Sequence, residues 1–171
     1  MESADNVPRQ QISFRDEVTG IPSTTYGAFS LYGYPAKFIP QVIAYVLNEY
    51  ANAGMTVFDP FAGYGTTGVV SSVYGHDYEL WDLNPLLETL HKVATMEQPK
   101  QDVAGLLSEM RLSNHEFIPD WSNFSYWFPQ EFLPFLVRVW GFYHSLRDEE
   151  AKLLLTIPLL KITRIFSHDD I

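Results

Sequence analysis

The chain carries MTVFDPFAGYGTTG over residues 55–68 and YELWDLNP over residues 78–85, and the rest of it is read outward from these two stretches. Met55, Thr56, Val57 and Phe58 form a short apolar, β-prone run, which Asp59-Pro60 closes because a proline cannot extend a central strand. Gly63, Gly65 and Gly68 follow as G-x-G-x-x-G. Thr66 to Val70 then open a helix, with a threonine hydroxyl available as its N-cap. Strand, glycine turn and helix in this order bring backbone N–H groups close to a ligand, so a side chain added at Gly65 is expected to occupy ligand space. The second run, Tyr78 to Trp81, ends in Asp82, a strand-end acid of the kind that accepts both hydrogen bonds of a ribose diol.

A short glycine pattern recurs by chance, and a tight turn alone can require it. Its context here fits two cofactor classes, separated by Asp59-Pro60-Phe61-Ala62, which stands between strand and glycines. A dinucleotide site sets its glycines directly at the strand end so that helix amides meet a pyrophosphate. A carboxylate in that place repels a phosphate and suits a cationic ammonium. A nicotinamide dehydrogenase is the least favoured reading for that reason.

On these residues the chain resembles the amino-group DNA methyltransferases, which act on cytosine N4 or adenine N6. FDPFAGYGTTG is similar to their first motif, close to DPFxGxGTT, and WDLNP resembles their second. YPAKFIP over residues 34–40 resembles the motif that precedes the first and closes over the methionine end of the cofactor. The resemblance covers about residues 34–93 and is looser from WFPQEF (127–132) onward. It implies a Rossmann-like α/β fold and S-adenosyl-L-methionine as cofactor. It also implies a cofactor site drawn from Lys37, Phe38, Asp59, Pro60, Phe61, Ala62, Gly63, Gly65, Thr66, Thr67, Asp82 and Asn84. Lys37 reads equally as a surface lysine or as a partner of the cofactor carboxylate, and Asn84 also as a helix N-cap.

Composition bounds the alternatives. With 46% apolar and 15% aromatic residues in 171, the chain can build a core. The polar, acidic start MESADNVPRQQ is neither a secretory signal nor a transit peptide. No apolar run approaches the ~20 residues of a membrane span, and a cytoplasmic or nucleoid-associated protein is expected. The absence of cysteine excludes disulfides and thiolate metal sites, and argues against cytosine-C5 methylation, which needs a thiolate nucleophile. The formal charge of -10, with only 11 lysines and arginines, argues against tight DNA binding by this polypeptide itself.

Around the central unit, residues 1–33 read as an irregular arm, 34–98 as the cofactor-binding α/β portion and 99–171 as a mainly helical extension. A helix from about residue 37 to 50 should bury Phe38, Ile39, Val42, Ile43, Val46, Leu47 and Tyr50. Pro85 should open the helix after Asn84, and Asp102 to Leu112 should form another. The aromatic stretch 113–129 suits packing across the domain more than base stacking. Phe132 to Tyr143 and Leu153 to Phe166 read as amphipathic helices joined by the charged turn 147–150, with Pro158 kinking or breaking the second. The five histidines lack metal-ligand spacing and take surface or capping roles by default; His168-Asp169-Asp170 reads as a chain end rather than a metal site.

Only two strands are legible, where an open doubly wound sheet usually has five or more. No Pro-Pro occurs, so the tetrapeptide with which the resembled enzymes grip an extruded base is absent, and no catalytic residue is expected in this chain. The expectation is a cofactor-binding front part of a methyltransferase. Its catalytic motif and double-stranded DNA recognition segment would lie on a further segment or a second subunit, within a restriction-modification or similar system. An RNA methyltransferase and a non-catalytic cofactor-binding subunit remain as alternatives.

Overall fold

The computed structural model describes residues 11–13, 27–33, 37–121 and 123–168. Most of the expected arm, the first three residues of YPAKFIP, and Asp169 and Asp170 lie outside the described residues.

Gly27–Ser30 forms a short 3-10 turn. Helix α1 (Pro40–Tyr50) follows, then strand β1 (Thr56–Asp59), helix α2 (Thr66–Val73) and strand β2 (Asp77–Leu80). The strands are parallel, with Thr56 opposite Asp77 and Asp59 opposite Leu80, and α2 is the crossover between them. The result is a mixed α/β unit whose sheet has two strands among the described residues. β1 ends at Asp59 as expected, ahead of Pro60. β2 ends at Leu80, two residues before Asp82 and opposite Asp59, where β1 stops ahead of Pro60 and the chain turns.

Helices α3 (Leu86–Ala94), α4 (Val103–Leu112), α5 (Leu133–Ser145) and α6 (Glu149–Ile165) complete the chain, with a 3-10 turn at Phe124–Tyr126. α6 begins earlier than expected: Glu149 and Glu150 are its first turn, and the Asp148 carboxylate caps it by accepting from the Ala151 N–H at 2.8 Å. Acids suit that position because the helix N-terminus is the positive end of its dipole. Pro158 does not break the helix. It faces solvent, where water can serve the Leu154 carbonyl that the missing N–H leaves unpaired.

Two apolar clusters hold the elements together. Phe29, Leu47, Tyr64, Val69, Val70 and Leu90 form the first with Ile157 of α6. Leu106, Val139, Phe142, Leu155 and Leu159 form the second, with Ala151. α6 thus serves both clusters. The segment before the 3-10 turn at 124 packs on α5: the Phe117 N–H donates to the Val137 carbonyl at 3.0 Å, and the Phe117 ring lies 3.9 Å from that of His144. Gly141 admits this segment, since a Cβ there would lie 2.3 Å from the His115 carbonyl oxygen.

α1 departs from its expected burial. Leu47 is buried and Ile43 packs on the first cluster, but Phe38, Val46 and Tyr50 are exposed. The helix is apolar on more than one side, and α2 covers only one of them. The sheet shows the same asymmetry. Val57, Asp59, Tyr78 and Leu80 are partly buried, whereas Thr56, Phe58, Asp77 and Glu79 are exposed on the other face. Among the described residues no helix is long and apolar enough to cross a membrane.

Candidate functional site

The site is built where both strands end. Asp59 turns its carboxylate into the loop that follows it: Oδ1 accepts from the Phe61 N–H at 3.1 Å and Oδ2 from the Thr67 hydroxyl at 2.6 Å. The loop is then joined to the end of β2. The Trp81 N–H donates to the Asp59 carbonyl and the Ala62 N–H to the Trp81 carbonyl, both at 2.9 Å. The Gly63 N–H donates to Asp82 Oδ2 at 2.7 Å, and Asp82 Oδ1 accepts from the Asn84 N–H at 2.8 Å. These N–H groups, that of Asn84 before that of Gly63, hold the Asp82 carboxyl below the usual carboxylate range. Asp82 is therefore an ionised strap across the glycine turn, with lone pairs still directed outward.

Asn84 Oδ1 accepts from the Leu86 N–H at 3.0 Å, so this side chain steadies the turn into α3, although Pro85 and not Asn84 stands at the N-cap position. The threonine cap expected for α2 is not formed. Gly65, at φ +82°, takes the N-cap position, and the Thr67 hydroxyl is spent on Asp59 instead. Thr66 is buried, and its Oγ1 has no hydrogen-bond partner among the described residues. The Gly65 expectation also changes. A Cβ there would point toward Leu87 Cδ1 at 3.1 Å and His91 Nδ1 at 3.5 Å, into α3 and away from open space. Gly68 is tighter still, at 2.6 Å from Leu80 Cδ1 and 2.9 Å from His91 Cε1. These glycines let α2, α3 and β2 approach one another.

An open depression of about 740 Å³ lies over the strand ends, lined by Pro60, Phe61, Trp81, Asp82, Leu83, Asn84 and Pro85 among others. Of the residues expected at the site, Pro60, Phe61, Asp82 and Asn84 are brought together here. Asp59, Ala62, Gly63, Gly65, Thr66 and Thr67 form the turn and helix start behind it. Phe61 is 85% exposed at its edge. Lys37 reaches the turn from another direction, its ammonium 4.7 Å from the Tyr64 ring centre and donating to the Phe29 carbonyl. Partial burial holds its pKa below the ordinary lysine value. Phe38 is exposed.

Two residues of the site were not anticipated. Tyr64, the residue between the first two glycines, is 1% exposed and is the aromatic centre of the first cluster. A large aromatic enclosed by glycines was the available signal. His91 departs from the surface or capping role expected of the histidines. It is half-buried under the turn with Nε2 2.9 Å from the Tyr78 hydroxyl, and burial lowers its pKa. Its position four residues after Leu87 on an amphipathic helix already placed it on the inner face. Among the described residues no group of three histidine or acidic side chains is placed to hold a metal ion.

No family model matches the chain, and no solved structure does. Over 87 residues, 51% of this chain, it is 31% identical to the Type II methyltransferase M.MjaII of Methanocaldococcus jannaschii. The matched part is 16% of that protein's length. Over half its length, then, this chain is a distant relative of a methyltransferase.

Proposed function

We propose that the chain is the S-adenosylmethionine-binding portion of a DNA amino methyltransferase with a Rossmann-like fold, directed at cytosine N4 or adenine N6. The observation that carries the reading is the ionised Asp82, fastened to the Gly63 N–H at the mouth of an open depression at the ends of two parallel strands. The residues fit the cofactor. Asp82 retains acceptor capacity for a ribose diol, Phe61 and Trp81 offer apolar surface to a purine, and the buried Thr66 Oγ1 at the turn is a polar atom without a partner among the described residues. When bound, S-adenosylmethionine supplies a methyl group activated by its sulfonium. The chain's own residues bind and orient: Asp82 holds the sugar, the 61–65 backbone frames the methionine part, and Asp59 keeps the turn in shape while placing negative charge beside it.

Transfer to a base amine needs hydrogen-bond acceptors that favour a tetrahedral nitrogen and hold it in line. The sequence has no Pro-Pro-aromatic tetrapeptide to provide them. Together with the bare sheet face and the charge of -10, this supports a complementary segment or subunit that brings both the acceptors and the DNA-binding surface. A restriction-modification setting accords with the Type II methyltransferase likeness. Calorimetric titration tests the cofactor: saturable binding of S-adenosylmethionine and no binding of NAD is expected, and preference for NAD would refute the reading. Incubation of the chain with labelled cofactor and unmodified DNA tests the division of labour. No transfer is expected, and methylation without added protein would refute that part.

A further inference from the structure

Gly63 and Gly65 both have positive φ, +53° and +82°, a backbone that few other residues adopt cheaply. The consequence is that the side chain between them turns inward while the neighbouring N–H groups are used elsewhere, Gly63 on Asp82 and Gly65 on the Ala62 carbonyl. Tyr64 reaches out of the turn to a segment more than thirty positions earlier. Its hydroxyl donates to the Ala28 carbonyl at 2.5 Å and accepts from the Leu31 N–H at 3.1 Å. Its ring face carries the Lys37 ammonium, which also donates to the Phe29 carbonyl. One side chain thus fastens 27–33 and Lys37 to the glycine turn.

We propose that Tyr64 is a positioning residue that holds the Lys37 ammonium beside the turn, so that the site selects nucleosides bearing an amino-acid carboxylate. This rests on the proposed cofactor reading and deepens it. A lysine on a flexible four-carbon stem is ordinarily spread over many rotamers in water. Here its charge is held over an aromatic face at the edge of the turn, partly dehydrated and poorly neutralised, so an arriving carboxylate replaces a weak partner with a strong one. The ring supplies the face, and the two hydroxyl hydrogen bonds fix where the 27–33 backbone and its Phe29 carbonyl stand.

The test compares two thioethers that differ in the amino-acid part, S-adenosylhomocysteine and 5′-methylthioadenosine, by calorimetry on the full chain. Tyr64→Phe keeps the ring and removes both hydroxyl hydrogen bonds; Lys37→Met keeps an apolar stem and removes the charge at a partly exposed position. Wild type is expected to bind S-adenosylhomocysteine more tightly than 5′-methylthioadenosine. Each variant should weaken the first by about tenfold and leave the second within about twofold. Equal weakening of both ligands by Tyr64→Phe, or no weakening of either, would make Tyr64 a purely structural part of the turn and overturn the inference with the cofactor reading intact. Unchanged affinities in Lys37→Met would remove the lysine and overturn it equally. Failure of wild type to bind either nucleoside would instead bring down the cofactor reading, and the inference with it.

Discussion

Gly68 shows how one missing Cβ sets the spacing of three elements. Gly68→Ala would gain about 1 kcal/mol of helix propensity. Against that, an added carbon would meet Leu80, His91 and Tyr78 side chains, the nearest at 2.6 Å. Overpacking of this kind costs about 1–3 kcal/mol and should win, because side chains from two elements must move together. Urea denaturation is expected to show a less stable variant. Asp82 has two tasks, strapping the turn and facing the depression. Asp82→Ala is expected to lower affinity for S-adenosylmethionine by about ten- to a hundredfold, measured by calorimetry, and unchanged affinity would remove it from the site. The His91 pKa is depressed below 6.5 by burial, so the unfolded chain binds its proton first as pH falls. Its contribution is therefore constant above the unfolded value and is lost as pH drops from about 6.5 through the folded pKa. Melting temperatures at pH 7.5 and 5.5 should differ less in His91→Gln than in wild type. The glycines, Asp59 and Asp82 were legible because turn chemistry is local in sequence. The partnership of Tyr78 with His91 was not, since it depends on a helix packing over a strand thirteen positions away.

At the level of elements, hydrophobic periodicity located the helices well and their faces less well. α3 buries Leu87 and Leu90 because it lies between α2 and α6. α1 departs from its pattern, because periodicity says which side is apolar and not whether a neighbour exists to cover it. The start of α6 was misplaced because charge in 147–150 was read as a turn, although Asp148 followed by two glutamates is also an N-terminal signature. Asp148→Ala removes the cap on the Ala151 N–H and should cost about 1 kcal/mol in urea unfolding. Since α6 supplies Ile157 to one cluster and Leu155 and Leu159 to the other, that loss should lower a single cooperative transition. Two separate transitions would show instead that the clusters unfold independently.

Across the whole molecule, the parallel pair around α2 was readable from sequence, whereas the joining of the two clusters through α6 was not, because nothing local in Leu155-Thr156-Ile157 announces two destinations. The sheet carries the remaining consequence. Each strand has one edge without a strand partner among the described residues, and Phe58 and Trp81 meet edge to face at 5.2 Å on the exposed side. Unpaired strand edges are templates for other chains, and charge is a common guard against that. Here Asp77 and Glu79 stand on the exposed face of β2, and the whole chain carries -10, so copies repel. Added salt shortens the reach of that repulsion to a few ångströms and leaves the apolar contact untouched. In sedimentation velocity runs the chain should be more self-associated in 1 M than in 0.05 M sodium chloride. Colloidal behaviour in the test tube would then report on the same two-stranded sheet whose bare face supports a complementary segment.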